Sequence, residues 1–233
     1  MSAKIKYTRK DLKGPDEFIS TLGRATLWIQ ENRSALLGIL AVVVLVLGAV
    51  FGTRAYSRWQ ETKAARELWP QLTRAREILQ APSPAGEEDL LRLEEFLGTY
   101  VTRHPGTRGE VFAKYYLGSI AYVRGDYERS AGQFRSAIEG GKERGGIMGF
   151  LLREGLAQAL EAKGDAENAQ KAYGEAAAFA NGELRSQVWM GQARMLGILG
   201  RKEEAAAVFR KILAENPNTP LKDLIEIKLS HLG

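Results

Sequence analysis

The sequence predicts an all-α protein, with one N-terminal transmembrane helix followed by an α-solenoid of antiparallel helix hairpins. Two observations carry this prediction. Residues 34–53 are twenty residues without a charge, proline, asparagine or glutamine. Beyond them, three stretches repeat the order of a helical run, a glycine and a second helical run. Hairpins of this kind stack because one hairpin alone cannot bury its apolar side.

The apolar segment at residues 34–53 is predicted to be a permanent transmembrane anchor. Twenty helical residues rise about 30 Å, the thickness of the hydrocarbon core of a bilayer. Arg33 and Arg54 stand at its two ends, where their long side chains extend to the headgroups. A buried core helix would show a polar stripe. A cleavable signal peptide would have a shorter apolar run, fewer residues before it and a small-residue cleavage site.

The distribution of Lys and Arg favours a cytoplasmic location for residues 1–33. This tail has seven basic residues, but only two lie within twenty residues of the span, against four on the other side. The count close to the span therefore opposes the count over the whole tail. A large C-terminal domain crosses a membrane largely regardless of its charge, whereas the tail would carry seven basic residues across. We expect the tail inside the cell and the domain outside.

Two features of the tail suit membrane lipid, and each has a plain alternative. Residues 15–34 are predicted to form a short amphipathic helix with one apolar face. That face consists of Phe18, Leu22, Ala25, Trp28 and Ile29. It would lie on the inner membrane surface or pack on a partner. The basic cluster in residues 4–13 suits anionic headgroups, but a solvated tail carries such charges too.

Composition argues against nucleic-acid binding and against catalysis. The net charge of +5 divides into +3 in residues 1–33 and +2 in the remainder, so the C-terminal domain is not basic. The chain has no cysteine, which excludes disulfides and thiolate metal sites. His104 and His231 have no carboxylate at metal-ligand spacing, and no zinc-protease, serine-hydrolase or P-loop motif occurs. We expect no enzyme activity, no catalytic residue, no cofactor and no metal.

The three repeated stretches share four positions. The turn glycines, spaced 39 and 36 residues apart, are Gly125, Gly164 and Gly200. The aromatic residues nine positions later are Phe134, Tyr173 and Phe209. The small residues five after and seven before each glycine are Ser130, Ala169, Ala205, Gly118, Ala157 and Ala193. We expect a left-handed turn at each glycine, close helix approach at the small residues, and an aromatic side chain filling the gap to the next hairpin.

Over residues 111–217 this pattern resembles the tetratricopeptide repeat, including Trp189 and the closing Pro217 of the third unit. Ile212 departs from it, because a small residue is usual there. The resemblance implies the following domains: 54–105, a connecting helix and a degenerate leading repeat; 106–217, three repeats; and 218–233, a C-terminal capping helix. Pro70 is expected to kink or interrupt the connecting helix.

The resemblance also implies a groove, because the first helix of each hairpin lines the concave face in such arrays. The candidate groove residues are Phe112, Tyr115, Ser119, Tyr122, Val123, Leu151, Glu154, Gln158, Gln187, Met190, Arg194 and Ile198. Their mixture of aromatic, Met and amide groups suits protein binding. Alternatively, some of them pack on a neighbouring helix or on residues 54–80. A carboxylate clamp for peptide C-termini is not expected, since Tyr115 and Ser119 stand where Lys and Asn would be needed.

The order of parts resembles a family of bacterial inner-membrane proteins, the ancillary Sec-translocon subunit. The likeness is carried by the junction WIQENRSALLG, the apolar span, and GTRAYSRWQETKAARELW directly after it. It implies a single-pass protein with a cytoplasmic tail and a periplasmic domain that contacts Sec channel subunits, periplasmic chaperones or exported chains. The alternative is an envelope scaffold for division or wall-synthesis machinery, and a third candidate class is an enzyme with a dispersed site.

Within the span, Gly48 and Gly52 form a GxxxG pair. Glycines one helical turn apart clear a strip of the helix surface, so another helix can approach closely. The strip is a candidate interface with a partner span or with a second copy of the chain, which would form a homodimer. Glycine is common in spans, so a simple tether is the alternative.

Overall fold

The computed structural model describes residues 23–24, 26–80, 87–140 and 145–232. The chain divides into two compact units, Met1–Arg58 and Trp59–Gly233. All regular elements among the described residues are helices. Of the predicted amphipathic helix, residues 26–31 are helical, whereas Phe18, Leu22 and Ala25 lie outside the described residues, as does the basic cluster in residues 4–13.

The first long element, α1, runs from Arg33 to Gln80 without a break. By length and composition, one stretch of the described chain, within this helix, is long and apolar enough to cross a membrane. Of the two effects expected of Pro70, a kink or an interruption, the interruption does not occur, because the helix is continuous there. Proline removes one backbone hydrogen bond, but the flanking Leu68 and Leu72 are buried and hold both sides of the helix against its neighbours.

Eight further helices follow α1 in the described chain. They are α2 Glu87–Arg103, α3 Arg108–Val123, α4 Tyr127–Gly140, α5 Gly146–Lys163, α6 Ala166–Ala177, α7 Gly182–Ile198, α8 Lys202–Glu215 and α9 Lys222–Ser230. From α2 onward each helix packs on the next in sequence, and α3 also contacts α5. Contacts restricted to near neighbours are the signature of a solenoid.

The hairpin turns have the backbone that the glycines were expected to provide. Gly125, Gly164 and Gly200 have φ angles of 78°, 89° and 74°. These values lie in the left-handed region, which residues with a Cβ atom seldom adopt. The described residues with positive φ are all glycines. The predicted left-handed turns between α3 and α4, α5 and α6, and α7 and α8 are therefore confirmed.

In the first two hairpins the aromatic residue contacts the following hairpin, as expected. A Cβ atom placed on Gly118 would lie 2.9 Å from the Phe134 ring, and one placed on Gly155 would lie 2.6 Å from it. Phe134 is thus held between α3 of its own hairpin and α5 of the next. Tyr173 repeats the arrangement, because a Cβ atom on Gly191 of α7 would lie 2.7 Å from its ring. In addition, the buried Ser130 hydroxyl donates a hydrogen bond of 2.8 Å to the Gly118 carbonyl.

Two apolar clusters form the core of the second unit. The leading cluster joins the last part of α1 to α2 and α3 through buried residues such as Ala64, Leu97 and Ile120. The larger cluster extends from α3 to α9 and includes Phe134, Tyr173, Phe209, Ile212 and Ile225. Ile212 is fully buried there. Its departure from the usual small residue therefore adds to the core.

Candidate protein-binding groove

The candidate groove residues lie on α3, α5 and α7, the first helix of each hairpin. On each helix they recur at intervals of three or four residues, so each set occupies one face. The members on α3 are Phe112, Tyr115, Ser119, Tyr122 and Val123. Those on α5 are Leu151, Glu154 and Gln158, and those on α7 are Gln187, Met190, Arg194 and Ile198.

The candidates on α3 and α5, apart from Phe112, meet in one place. They line a cavity of about 250 Å³, which we call the α3–α5 cavity. Its lining residues are Leu79, Tyr115, Ser119, Tyr122, Val123, Phe134, Leu151, Glu154, Gly155 and Gln158. Seven of these ten were predicted for the groove from sequence. The three additions are Leu79, near the end of α1, and Phe134 and Gly155, whose contact joins the two hairpins.

Aromatic rings form one wall of the α3–α5 cavity. The Tyr115 ring lies 5.9 Å from Phe134, between centroids, and 5.3 Å from Tyr116. The Tyr122 ring lies 5.4 Å from that of Tyr127 and is 37% exposed. A tyrosine hydroxyl is protonated at neutral pH, and burial raises the pKa of the Tyr115 phenol further. The wall therefore offers uncharged rings and hydroxyl groups to a ligand.

Glu154 is the one charged side chain among the residues that line the α3–α5 cavity. It is partly buried, and burial raises the pKa of its carboxyl group. Its neighbour Arg153 does not neutralise it: the Arg153 guanidinium lies 4.1 Å from the centre of the Phe179 ring and donates a 3.0 Å hydrogen bond to the Gly149 carbonyl. Among the described residues, Glu154 forms no ion pair or hydrogen bond through its side chain.

The candidates on α7 lie apart from this cavity. Met190, Arg194 and Ile198 line a second, open cavity of about 610 Å³, to which residues of α8 and α9 also contribute. Ile198 is 67% exposed, and Gln187 is exposed as well. Three of the four α7 candidates are therefore grouped with the C-terminal helix and not with the α3–α5 cavity.

Arg194 is held by partners that the sequence reading did not include. Its guanidinium donates two hydrogen bonds of 2.7 Å to the Glu161 carboxylate, which also accepts one of 2.6 Å from the Tyr173 hydroxyl. Burial alone would raise the pKa of Glu161, but the bonds from Arg194 and Tyr173 outweigh it and lower that pKa. Burial, followed by the bond to Glu161, raises the pKa of Tyr173. Arg194 is thus fixed in position and already neutralised.

Phe112 belongs to a different environment. Its ring lies 5.9 Å from that of Trp69, and both line a cavity of about 800 Å³ between α1 and the N-terminal ends of α3 and α5. This is the alternative recognised from sequence, in which some candidates pack on residues 54–80. Phe112 is therefore separate from the α3–α5 cavity.

The histidines have structural surroundings. The His104 Nε2 atom lies 2.8 Å from the Glu67 carboxylate, which links the end of α2 to α1. His231 lines the cavity that α7 shares with α9. Within the described ranges, no three His, Cys, Asp or Glu side chains come together as a metal site would require.

Residues 27–233 match the family model of the tetratricopeptide repeat-like domain. A comparison with curated proteins finds no match. Together with the all-helical structure, the family match confirms the predicted fold class of helix hairpins in a repeat array behind a long apolar helix. Repeats of this kind typically act as non-enzymatic scaffolds for protein–protein interaction.

Proposed function

Because the chain belongs to the tetratricopeptide repeat-like domain family, we propose that it is a membrane-anchored adaptor whose repeat domain binds segments of other proteins. The observation that carries this proposal is the α3–α5 cavity, where residues of two successive first helices converge. Its wall mixes aromatic, amide and carboxylate groups, the chemistry of a protein-binding surface. Binding is proposed in place of catalysis, with no cofactor.

The anchor is proposed to be the apolar part of α1, inserted in the inner membrane of a bacterial cell as a single span. Its large apolar side chains, such as Leu40, Val44 and Phe51, are exposed in the described chain, so a lipid environment would cover them. The positive tail at residues 1–33 supports a cytoplasmic N-terminus, which would place the repeat domain in the periplasm.

The proposed setting is protein export, with Sec channel subunits, periplasmic chaperones or exported chains as partners. The support is the order of parts: a short tail, one span, a basic and aromatic stretch, and a repeat domain. A scaffold for division or wall-synthesis machinery has the same architecture and is the second candidate. The identity of the bound partners separates the two.

Photo-crosslinking in intact membranes tests this setting. A photoreactive amino acid replaces Gln158, which lines the α3–α5 cavity and is exposed. The matched control carries it at Glu203, an exposed position on the second helix of the third hairpin. We expect channel subunits, chaperones or exported chains to crosslink from position 158 and not from 203. Recovery of wall-synthesis proteins alone would contradict the export proposal, and equal recovery from both positions would contradict the groove.

A further inference from the structure

We propose that the α3–α5 cavity receives a lysine or arginine side chain of the bound protein segment, with Glu154 as its counter-charge. The inference rests on the proposed function, because it names the chemistry of the segment that the groove would bind. It starts from the combination of one unpaired carboxylate and several aromatic rings around a small cavity.

The size of the cavity indicates a single side chain. Its volume is about 250 Å³. Sites for whole small-molecule ligands are usually larger, about 300–1,000 Å³. An extended segment lying across α3 and α5 would therefore insert one residue here. The rest of the segment would contact the rim, where Val123 is exposed.

The charge of the cavity indicates a cation. A partly buried carboxylate loses hydration, and this loss is offset only when a positive group or hydrogen-bond donors replace the water. Two cations on the first helices are engaged elsewhere, since Arg153 packs on Phe179 and Arg194 pairs with Glu161. Glu154 therefore has no counter-charge within the described chain, and an incoming ammonium or guanidinium group would stabilise its ionised form.

The other lining groups also suit a cationic side chain. Aromatic faces such as those of Tyr115 and Tyr122 attract a cation when they lie close to it. The Gln158 amide oxygen and the Ser119 hydroxyl oxygen add acceptors to the carboxylate. Lysine and arginine have only donors, so these acceptors complement them. The apolar stem of either side chain would pack against Leu79 and Leu151.

The test compares two pools of short fluorescent peptides that bind the full chain in detergent micelles. One pool has a central lysine and the other a central norleucine, with the same mixture of flanking residues. Norleucine keeps the apolar stem and lacks the charge. We expect the lysine pool to bind about tenfold more tightly, the effect of one charge-assisted hydrogen bond. Glu154→Gln should abolish this preference, and the control Glu139→Gln, at an exposed position on α4, should keep it.

The outcomes distinguish a failure of the cation proposal from a failure of the proposed groove. If both pools bind the parent chain equally, the cation proposal is overturned while the groove remains. If Glu154→Gln keeps the preference for lysine, the proposed counter-charge is wrong. If neither pool binds the parent chain, this inference and the proposed groove fail together. Glutamine has almost the shape of glutamate, and a thermal unfolding curve of Glu154→Gln that matches or exceeds the parent's shows that lost preference is not lost folding.

Discussion

Adding a single methyl group at Gly155 should have opposite effects on stability in two backgrounds. In the parent chain, the Cβ atom of Gly155→Ala would lie 2.6–3.0 Å from three atoms of the Phe134 ring. A Cβ atom placed on Gly118 would lie 2.9 Å from the same ring, so α3 and α5 both approach the ring closely and leave it little room to shift. Overpacking of a core costs about 1–3 kcal/mol. For a ring that two helices approach this closely, we take the upper end of that range.

Helix propensity acts in the opposite direction, since alanine is favoured over glycine inside a helix by about 1 kcal/mol. The net expectation for Gly155→Ala is a loss of about 2 kcal/mol in the free energy of unfolding. In a Phe134→Ala background the ring is absent, so the same change should stabilise by about 1 kcal/mol. The predicted coupling between the two sites is therefore about 3 kcal/mol.

Urea unfolding of the full chain in detergent, followed by circular dichroism for the four variants of the cycle, measures this coupling. Gly132→Ala is the matched control, because an added Cβ atom there has no heavy atom within 4 Å. It should stabilise by the same small amount in both backgrounds. If Gly155→Ala has an equal effect with and without the Phe134 ring, the inferred packing between hairpins is wrong.

Three further predictions concern charge, the span and topology. Glu154→Gln should stabilise the fold at neutral pH, because burial raises the pKa of Glu154 in the folded chain. The gain in the free energy of unfolding is full above that raised pKa and vanishes below the usual carboxyl range. Thermal unfolding across pH measures this dependence. Replacing Gly48 and Gly52 by Leu should leave membrane insertion intact and weaken co-purification with a partner span or a second copy. If co-purification is undiminished, the span is a simple tether. A periplasm-dependent reporter fused after Gly233 should be active, whereas activity of a cytoplasm-dependent reporter would reverse the proposed orientation.

The local features of the repeats were predictable from sequence because they depend on residues close together in the chain. A glycine between two helical runs fixes its own turn, and Gly125, Gly164 and Gly200 behave as expected. The aromatic residue nine positions later has a constant place on the second helix, so Phe134 and Tyr173 also reach the next hairpin as predicted. Such regularities are set by helix geometry alone.

Features that depend on distant partners were not predictable in the same way. Gly155 and Gly191 both stand nine residues before a turn glycine and receive an aromatic ring, a recurrence that a closer alignment of the repeats would have found. The pairing of Arg194 with Glu161 depends on how α7 lies against α5. The helix continues through Pro70 because tertiary packing of α1 outweighs the local preference.

The most direct test of the central claim is hydrogen–deuterium exchange of the full chain with and without a partner recovered by crosslinking. Binding in the groove should slow exchange in α3 and α5, above all around Tyr115, Ser119 and Glu154, while α4, α6 and α8 keep their rates. Protection confined to α4, α6 and α8, with α3 and α5 unchanged, would contradict a binding site in the groove.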